Sequence, residues 1–319
     1  QMAMATAGFY AASRAIGSVI STGKEFQQAM ANVKAISGAT GAEFLALEAN
    51  AKRLGATTVH TASDVAALQT EFAKLGFTAT EITQVTASTL ALSTAVGADL
   101  ATSAATAGTT LRGFGLDVSE TSRVTDVMAL SFSSSALDMA KFTDSMKYVA
   151  PIAKIAGIDL EGTTAILGQL ANAGISGSMA GTSLRKILLE AGNAGSNLAK
   201  RMGGPISSFE DFQEKLATLK SEGFDPLTDG ADLVGKRAIT AFSILLGGVD
   251  STNKLGESLN EAGGAAQDMA DIQLDTLEGS LQLATSAMDG LKIEMFEMNE
   301  GDLRDLVDGF TKFIDSIDE

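Results

Sequence analysis

The chain has no cysteine, three prolines, one histidine and 5% aromatic residues among 319 positions, and 45% of the residues are hydrophobic. Without cysteine, neither a disulfide nor a thiolate metal site can form. With one histidine, His60, an imidazole-based triad has a single candidate; it lies in a Thr-rich turn and reads as a solvated helix-entry residue. Few prolines and aromatics beside abundant Ala and Leu argue for helices packed through small side chains. No sustained alternation of Val, Ile, Thr or Tyr marks a strand. The expected fold is all-α: a bundle of stacked helical hairpins with a heptad-patterned helix at the C-terminal end.

Long apolar runs are also missing. Ala238–Gly248 is apolar over 11 residues, roughly 16 Å of helix, where a bilayer core needs about 30 Å. Met2–Thr22 is long enough but is interrupted by Arg14, and it lacks the basic start and cleavage pattern of a signal peptide. It reads as an Ala-rich packed helix. The chain opens on Gln1, as expected of a piece of something longer. Net charge is −16, and residues 250–319 hold 17 acidic against 4 basic side chains. A phosphate backbone is repelled by that stretch and hardly attracted by the rest, so direct nucleic-acid binding is not expected.

What the chain does have is glycine, 33 residues of it, placed as punctuation. The central stretch is Gly174–Leu188 with the helix before it. Asp159 stands where an N-cap belongs. Leu160, Thr164, Leu167, Leu170 and Ala171 then follow at the spacing of one buried face. Gly174 reads as a left-handed stop and Ile175 as the apolar residue that folds back on it. Ser176 or Ser178 can cap a second helix, whose small residues Gly177, Ala180 and Gly181 admit a neighbouring backbone ahead of Leu184, Ile187 and Leu188. The result is a tight helix–turn–helix corner.

Further hairpins flank it. Met4–Ser37 reads as a helix bent at Gly17 or Gly23, with Phe26, Met30, Val33 and Ile36 inward; Ala42–Leu54 reads as a second, stopped by Gly55. Thr61 or Ser63 caps a third with Val65, Leu68, Phe72 and Leu75 inside, ended by Gly76 and Phe77. Aligning Gly76 with Gly174 pairs Phe72 with Leu170, Leu68 with Ile166 and Thr61 with Asp159, a weak internal repeat. Pro151 is expected to kink or split a helix over Leu137–Ala156. Gly192–Gly204 and Gly223–Gly230 read as loops, and Leu233–Gly248 as one apolar helix.

Gly174, Ile175, Ala180, Gly181, Thr182, Leu184 and Arg185 resemble a signature in the core region of phage tail tape measure proteins of the TP901-1-like family. Other blocks resemble the same family in order: Leu54, Gly55, Thr58, Leu75 and Gly76; Gly115–Leu116, Asp126, Pro151, Ala153 and Gly157; and Gly235, Arg237 and Ala238. The resemblance implies a structural virion protein that sets tail length and templates tail tube assembly, made in the host cytoplasm and held in the tail lumen or tip until genome ejection. It also implies partners: copies of itself, the tube protein, tail-tip or baseplate proteins and tail assembly chaperones. The chain departs from the family in having no proline over 291–319.

The end of the chain has a different rhythm. Ala270, Leu274, Leu277, Leu281, Ala284, Met288, Leu291, Met295 and Met298 recur at alternating steps of four and three. That is a heptad seam of about 43 Å if the helix is unbroken. Two arrangements fit: a helix lying on its own bundle, or a seam for self-association through Leu274, Leu277, Leu281, Met288, Leu291 and Met295. Gly301 interrupts it, and Leu303, Leu306, Phe310, Phe313, Ile314 and Ile317 begin another amphipathic helix. The expected division is a compact core over 1–264 and an acidic segment over 265–319 that continues into, or docks to, a rod.

Catalytic chemistry finds little support. Gly230–Arg237 matches GxxxxGK but offers Arg237 where a hydroxyl should meet magnesium. Asp225–Lys236 resembles a calcium loop, with Leu227 and Lys236 at positions that need oxygens. Pairs such as Asp302 and Asp305 read as a solvated helix face. No catalytic residue, metal ligand or cofactor is assigned, and the chain reads as non-enzymatic. The competing class is a membrane-active helical protein of the pore-forming type, resting on Met2–Thr22 and Ala238–Gly248.

Overall fold

The computed structural model describes residues 2–298, and among them there is no β-strand. The helices are α1 (Met2–Ser37), α2 (Gly41–Thr57), α3 (Ala62–Lys74), α4 (Ala79–Val96), α5 (Leu100–Phe114), α6 (Thr121–Ser134), α7 (Met139–Ile155), α8 (Leu160–Asn172) and α9 (Gly177–Gly192). They continue as α10 (Asn197–Arg201), α11 (Phe209–Ser221), α12 (Pro226–Asp229), α13 (Ala231–Val234), α14 (Ile239–Gly247), α15 (Val249–Asn260), α16 (Ala265–Leu274) and α17 (Leu277–Met298). The described residues form two compact units, residues 87–273 and the flanking stretches 2–86 and 274–298. The sequence reading places its division at 264/265.

In the first unit, α3 lies against α1 and α2, and α17 packs on α1 and α2. Its core takes Phe26, Met30 and Val33 from α1, Leu47 and Leu54 from α2, Val65, Leu68 and Phe72 from α3, and Ile293 from α17. Thr61 starts α3 with a reciprocal cap: its Oγ1 accepts from Asp64 N at 3.2 Å, and Asp64 Oδ2 accepts from Thr61 N at 2.9 Å. The stop is the left-handed one expected. Gly76 has φ +77°, Phe77 N donates to Phe72 O at 3.1 Å, and the Phe77 ring meets Phe72 edge-on at 5.3 Å.

Helix α1 is continuous from Met2 to Ser37, Gly17 and Gly23 included. Two expectations for this unit need correction. Ile36 is 48% exposed rather than inward. Gly55 does not end α2; it lies buried within the helix, and a Cβ there would stand 2.6 Å from Ala62 Cα. The glycine serves the close approach of α3's first residue instead of a stop.

The second unit is organised around α7, α8 and α9. Helix α7 packs on α5 and α9, while α8 packs on α6, α14 and α15. Phe142, Met146 and Val149 of α7, Ile166, Leu167 and Leu170 of α8, and Leu184, Ile187 and Leu188 of α9 are buried, as are Phe212 of α11 and Phe242 of α14. Pro151 neither splits nor ends α7. It removes the amide that would bond the carbonyl of Lys147, an exposed residue, where water can take its place. The glycine-rich connections contain short helices, α10 and α12. Leu233–Gly248 is not one helix: Gly235, at φ +77°, separates α13 from α14.

Candidate functional site

The corner between α8 and α9 is built as its residue types require. Asp159 caps α8 by accepting from Gly162 N at 2.8 Å. Burial pushes the Asp159 carboxyl above its ordinary value of 3.8, against the lowering effect of that bond. Gly174 ends α8 at φ +85°, with Ile175 N donating to Leu170 O at 2.9 Å. Ser176 occupies the N-cap position of α9 without a side-chain bond. One turn on, the backbone of α7 crosses α9: a Cβ on Gly181 would lie 2.9 Å from Ser145 Cα. Ser145 Oγ donates to Gly177 O at 2.9 Å and locks the crossing.

The signature residues therefore divide by role. Ala180, Gly181 and Leu184 are buried in the α7–α9 contact, and Gly174 and Ile175 make the turn. Thr182 and Arg185 are exposed. Three of the other resembling glycines are stops of the same kind: Gly76, Gly115 and Gly157 have φ of +77°, +62° and +77°, while Gly55 lies inside α2.

Two signature segments distant in sequence meet on this unit. Thr182, Ser183 and Lys186 of α9 face Val234, Gly235, Lys236, Arg237 and Ala238 across a groove of about 520 Å³. Val234 and Ala238 are buried beneath it. The Gly230–Arg237 stretch that failed as a nucleotide loop thus supplies one wall of a cationic groove.

The heptad seam is interrupted. Helix α16 ends at Leu274, and Thr276 restarts α17 by accepting from Gly279 N at 3.0 Å. The unbroken 270–298 helix is thus corrected to two. Within α17, Leu277, Leu281, Met288, Leu291 and Met295 are 54–78% exposed, while Leu274 is half-buried. The opposite face carries the packing. Gly279, Ser286 and Ile293 recur at seven-residue spacing and are buried. Ser286 Oγ donates to Val59 O at 2.9 Å, Glu297 pairs with Lys52 at 2.5 Å, and Phe296 lies so close to Gly23 that a Cβ there would stand 2.5 Å from Cδ1. Helix α17 does lie on its own bundle, but not through the seam. Residues 299–319, with the amphipathic pattern from Leu303 to Ile317, lie outside the described residues.

Two buried polar devices escape sequence reasoning. Arg123 of α6 makes a bidentate pair with Glu161 of α8, Nε to Oε1 at 2.6 Å and Nη2 to Oε2 at 2.7 Å. Glu161 is 3% exposed, and its bonds hold the guanidinium more firmly charged than usual. Asp126 accepts from Gly264 N and Ala266 N, each at 3.0 Å, and so caps α16 from another helix. Neither pairing has a short-range signal, because the partners stand 38 and 140 positions apart.

Among the described residues, no group of three His, Cys, Asp or Glu side chains could hold a metal ion. His60 is half-buried in the α2–α3 turn, its amide donating to Thr58 Oγ1 at 3.3 Å. No described helix is long and apolar enough to cross a membrane. The Ala238–Gly248 run offered for a membrane role reduces to α14, nine residues long.

The sequence matches the profile of the phage-related minor tail proteins over residues 48–230. It is 32% identical over 322 residues to the tape measure protein of Pneumococcus phage Dp-1, covering 97% of this chain and 28% of that protein. It is 29% identical over 315 residues to the probable tape measure protein of Escherichia phage P2, covering 93% of this chain and 38% of the relative. The chain thus spans well under half the length of the curated relatives it matches. No solved structure matches it.

Proposed function

The chain belongs to the phage-related minor tail protein family, and from that premise we propose that it is the folded core segment of a tail tape measure protein. In this reading it is a non-enzymatic component of the virion, held in the tail lumen or tip after synthesis in the host cytoplasm. The whole protein sets tail length, templates polymerisation of the tube around it and leaves on genome ejection. Its partners are copies of itself, the tube protein, tail-tip or baseplate proteins and tail assembly chaperones. Similarity to parts of two tape measure proteins, extending over nearly all of this chain, carries the reading; the finer TP901-1-like grouping rests on the signature residues alone.

A ruler works because an uninterrupted helix advances about 1.5 Å per residue. The segment described above is not built that way, since glycine stops fold it back every one or two helices. We assign it the part of a compact module over 1–264, with 265–319 starting or docking to the rod contributed by the rest of the protein. The exposed Leu/Met stripe of α17 is where copies meet. Its spacing matches another helix of the same period, and its inner face is already occupied. An acidic surface also avoids trapping DNA that shares the channel.

In-frame deletions in the phage test this. Removing residues from the helical rod outside this segment should shorten tails by about 1.5 Å per residue. Removing residues 87–273 should abolish tails rather than shorten them in proportion. Normal tails without that unit refute the assignment. A membrane-active role predicts leakage from liposomes mixed with the purified chain; the present reading predicts none.

A further inference from the structure

The groove between α9 and the α13–α14 turn is exceptional in a molecule of net charge −16. Lys186, Lys236 and Arg237 line it with Thr182 and Ser183, no carboxylate lines it, and Val234 and Ala238 lie almost fully buried at its base. Lys186 is partly engaged by Glu190 at 2.5 Å. Among the described residues neither Lys236 nor Arg237 enters an ion pair. A simple inorganic anion would leave most of the 520 Å³ unused. A nucleic acid would meet the overall negative charge. The lining chemistry fits a helix edge carrying carboxylates beside one apolar side chain.

The same unit displays such an edge. On α16, Asp268, Asp271 and Ile272 are exposed and stand at the i, i+3, i+4 positions of one helix face. Ile272 is 74% exposed. The edge is rigidly presented, because Asp126 caps the helix and Gln273 Nε2 donates to Ala95 O at 2.5 Å. None of the residues lining the groove comes from α16.

We propose that the groove of one copy receives the α16 edge of a second copy. Asp268 and Asp271 face Lys186, Lys236 and Arg237, and Ile272 enters the groove between them. The two surfaces differ, so the contact is heterologous; repeated by a rotation that closes, it builds a ring of copies around a common axis. The inference rests on the reading that several copies assemble side by side, and it names a contact separate from the α17 stripe.

Sedimentation velocity on the full 319-residue chain tests it through charge reversal. The pair Lys236→Glu/Arg237→Glu and the pair Asp268→Lys/Asp271→Lys should each weaken association about tenfold at low salt, and added salt should weaken the wild type. Mixing the two variants restores complementary faces and should restore association. Ile272→Ser, a change at an exposed site that leaves folding intact, should weaken it without altering the salt response. Unchanged association in the charge variants, no recovery on mixing, or a strictly monomeric wild type overturns the proposal. Leu281→Glu/Met288→Glu keeps the two contacts distinguishable. If that variant falls apart while charge reversal has no effect, copies do assemble, and the groove is not where they do it.

Discussion

Gly181→Ala adds one methyl group where α7 crosses α9, and the geometry sets the sign of its effect. The new Cβ would stand 2.9 Å from Ser145 Cα and 3.0 Å from its carbonyl carbon, where carbon pairs prefer about 3.5–4.0 Å. Both contacts are backbone, so no side chain can rotate away. The helices must separate by about 0.5–1 Å, which forfeits a quarter to a half of each dispersion well across the seam. The buried side chains Phe142, Met146, Leu184, Ile187 and Leu188 lie along it. Overpacking of this kind costs about 1–3 kcal/mol, offset by about 1 kcal/mol from alanine's better helix propensity. A net loss of about 1–2 kcal/mol is expected, a fall of about 2–4 °C per kcal/mol for a unit of this size. The control is Gly17→Ala: also mid-helix, it finds nothing within 4 Å of the added Cβ and should be neutral or gain up to about 1 kcal/mol. Urea melts followed by circular dichroism at the helical band measure both. If Gly181→Ala is as stable as the wild type, the corner does not depend on backbone contact and the account of the signature glycine fails.

Four further outcomes are expected. Arg123→Ala strands Glu161 in the core; discounting for the half-exposed arginine, the cost should be about 2 kcal/mol, and a denaturation midpoint equal to wild type would show the pair to be idle. Leu281→Glu/Met288→Glu should leave thermal stability and helicity unchanged, because both side chains face outward, while reducing association in light scattering. Asp99, Asp138 and Asp211 have carboxyls held below the ordinary 3.8: Asp99 by its bonds from Thr102, Asp138 by those from Lys141 against the opposing effect of burial, and Asp211 by Lys215. Their contribution is present above the unfolded value and lost as pH falls through the lower folded values, so acid titration should show stability declining below about pH 4. Asp159 has the opposite sign: its raised folded value means the charged form is disfavoured at neutral pH. Asp159→Asn, which caps as well, should therefore stabilise the chain at pH 7 and lose that advantage in acid; destabilisation at pH 7 would contradict the sign.

The helix stops were legible because they are local. A glycine at positive φ followed by an apolar residue needs only six consecutive positions, so Gly76–Phe77 and Gly174–Ile175 could be read directly. The caps of Thr61 and Asp159 span four positions and were legible for the same reason. Gly55 was misread as a stop, since a glycine that admits Ala62 looks the same in sequence as one that turns the chain. That α7 is not split at Pro151 depends on whether the freed carbonyl meets water, which the local sequence does not show.

Composition and periodicity alone determined that the protein is helical, that several of its helices stop at glycine, and that a Leu/Met stripe runs along its last described helix. Those features depend on torsional preference and on spacing within one turn or heptad, which neighbours in the chain decide among themselves. Tertiary structure decided which face of α17 is covered, that Arg123 meets Glu161, that Asp126 caps α16, and that two signature segments form a cationic groove. Each of these joins residues from separate helices, and the free energy of such contacts is set by where whole helices come to rest.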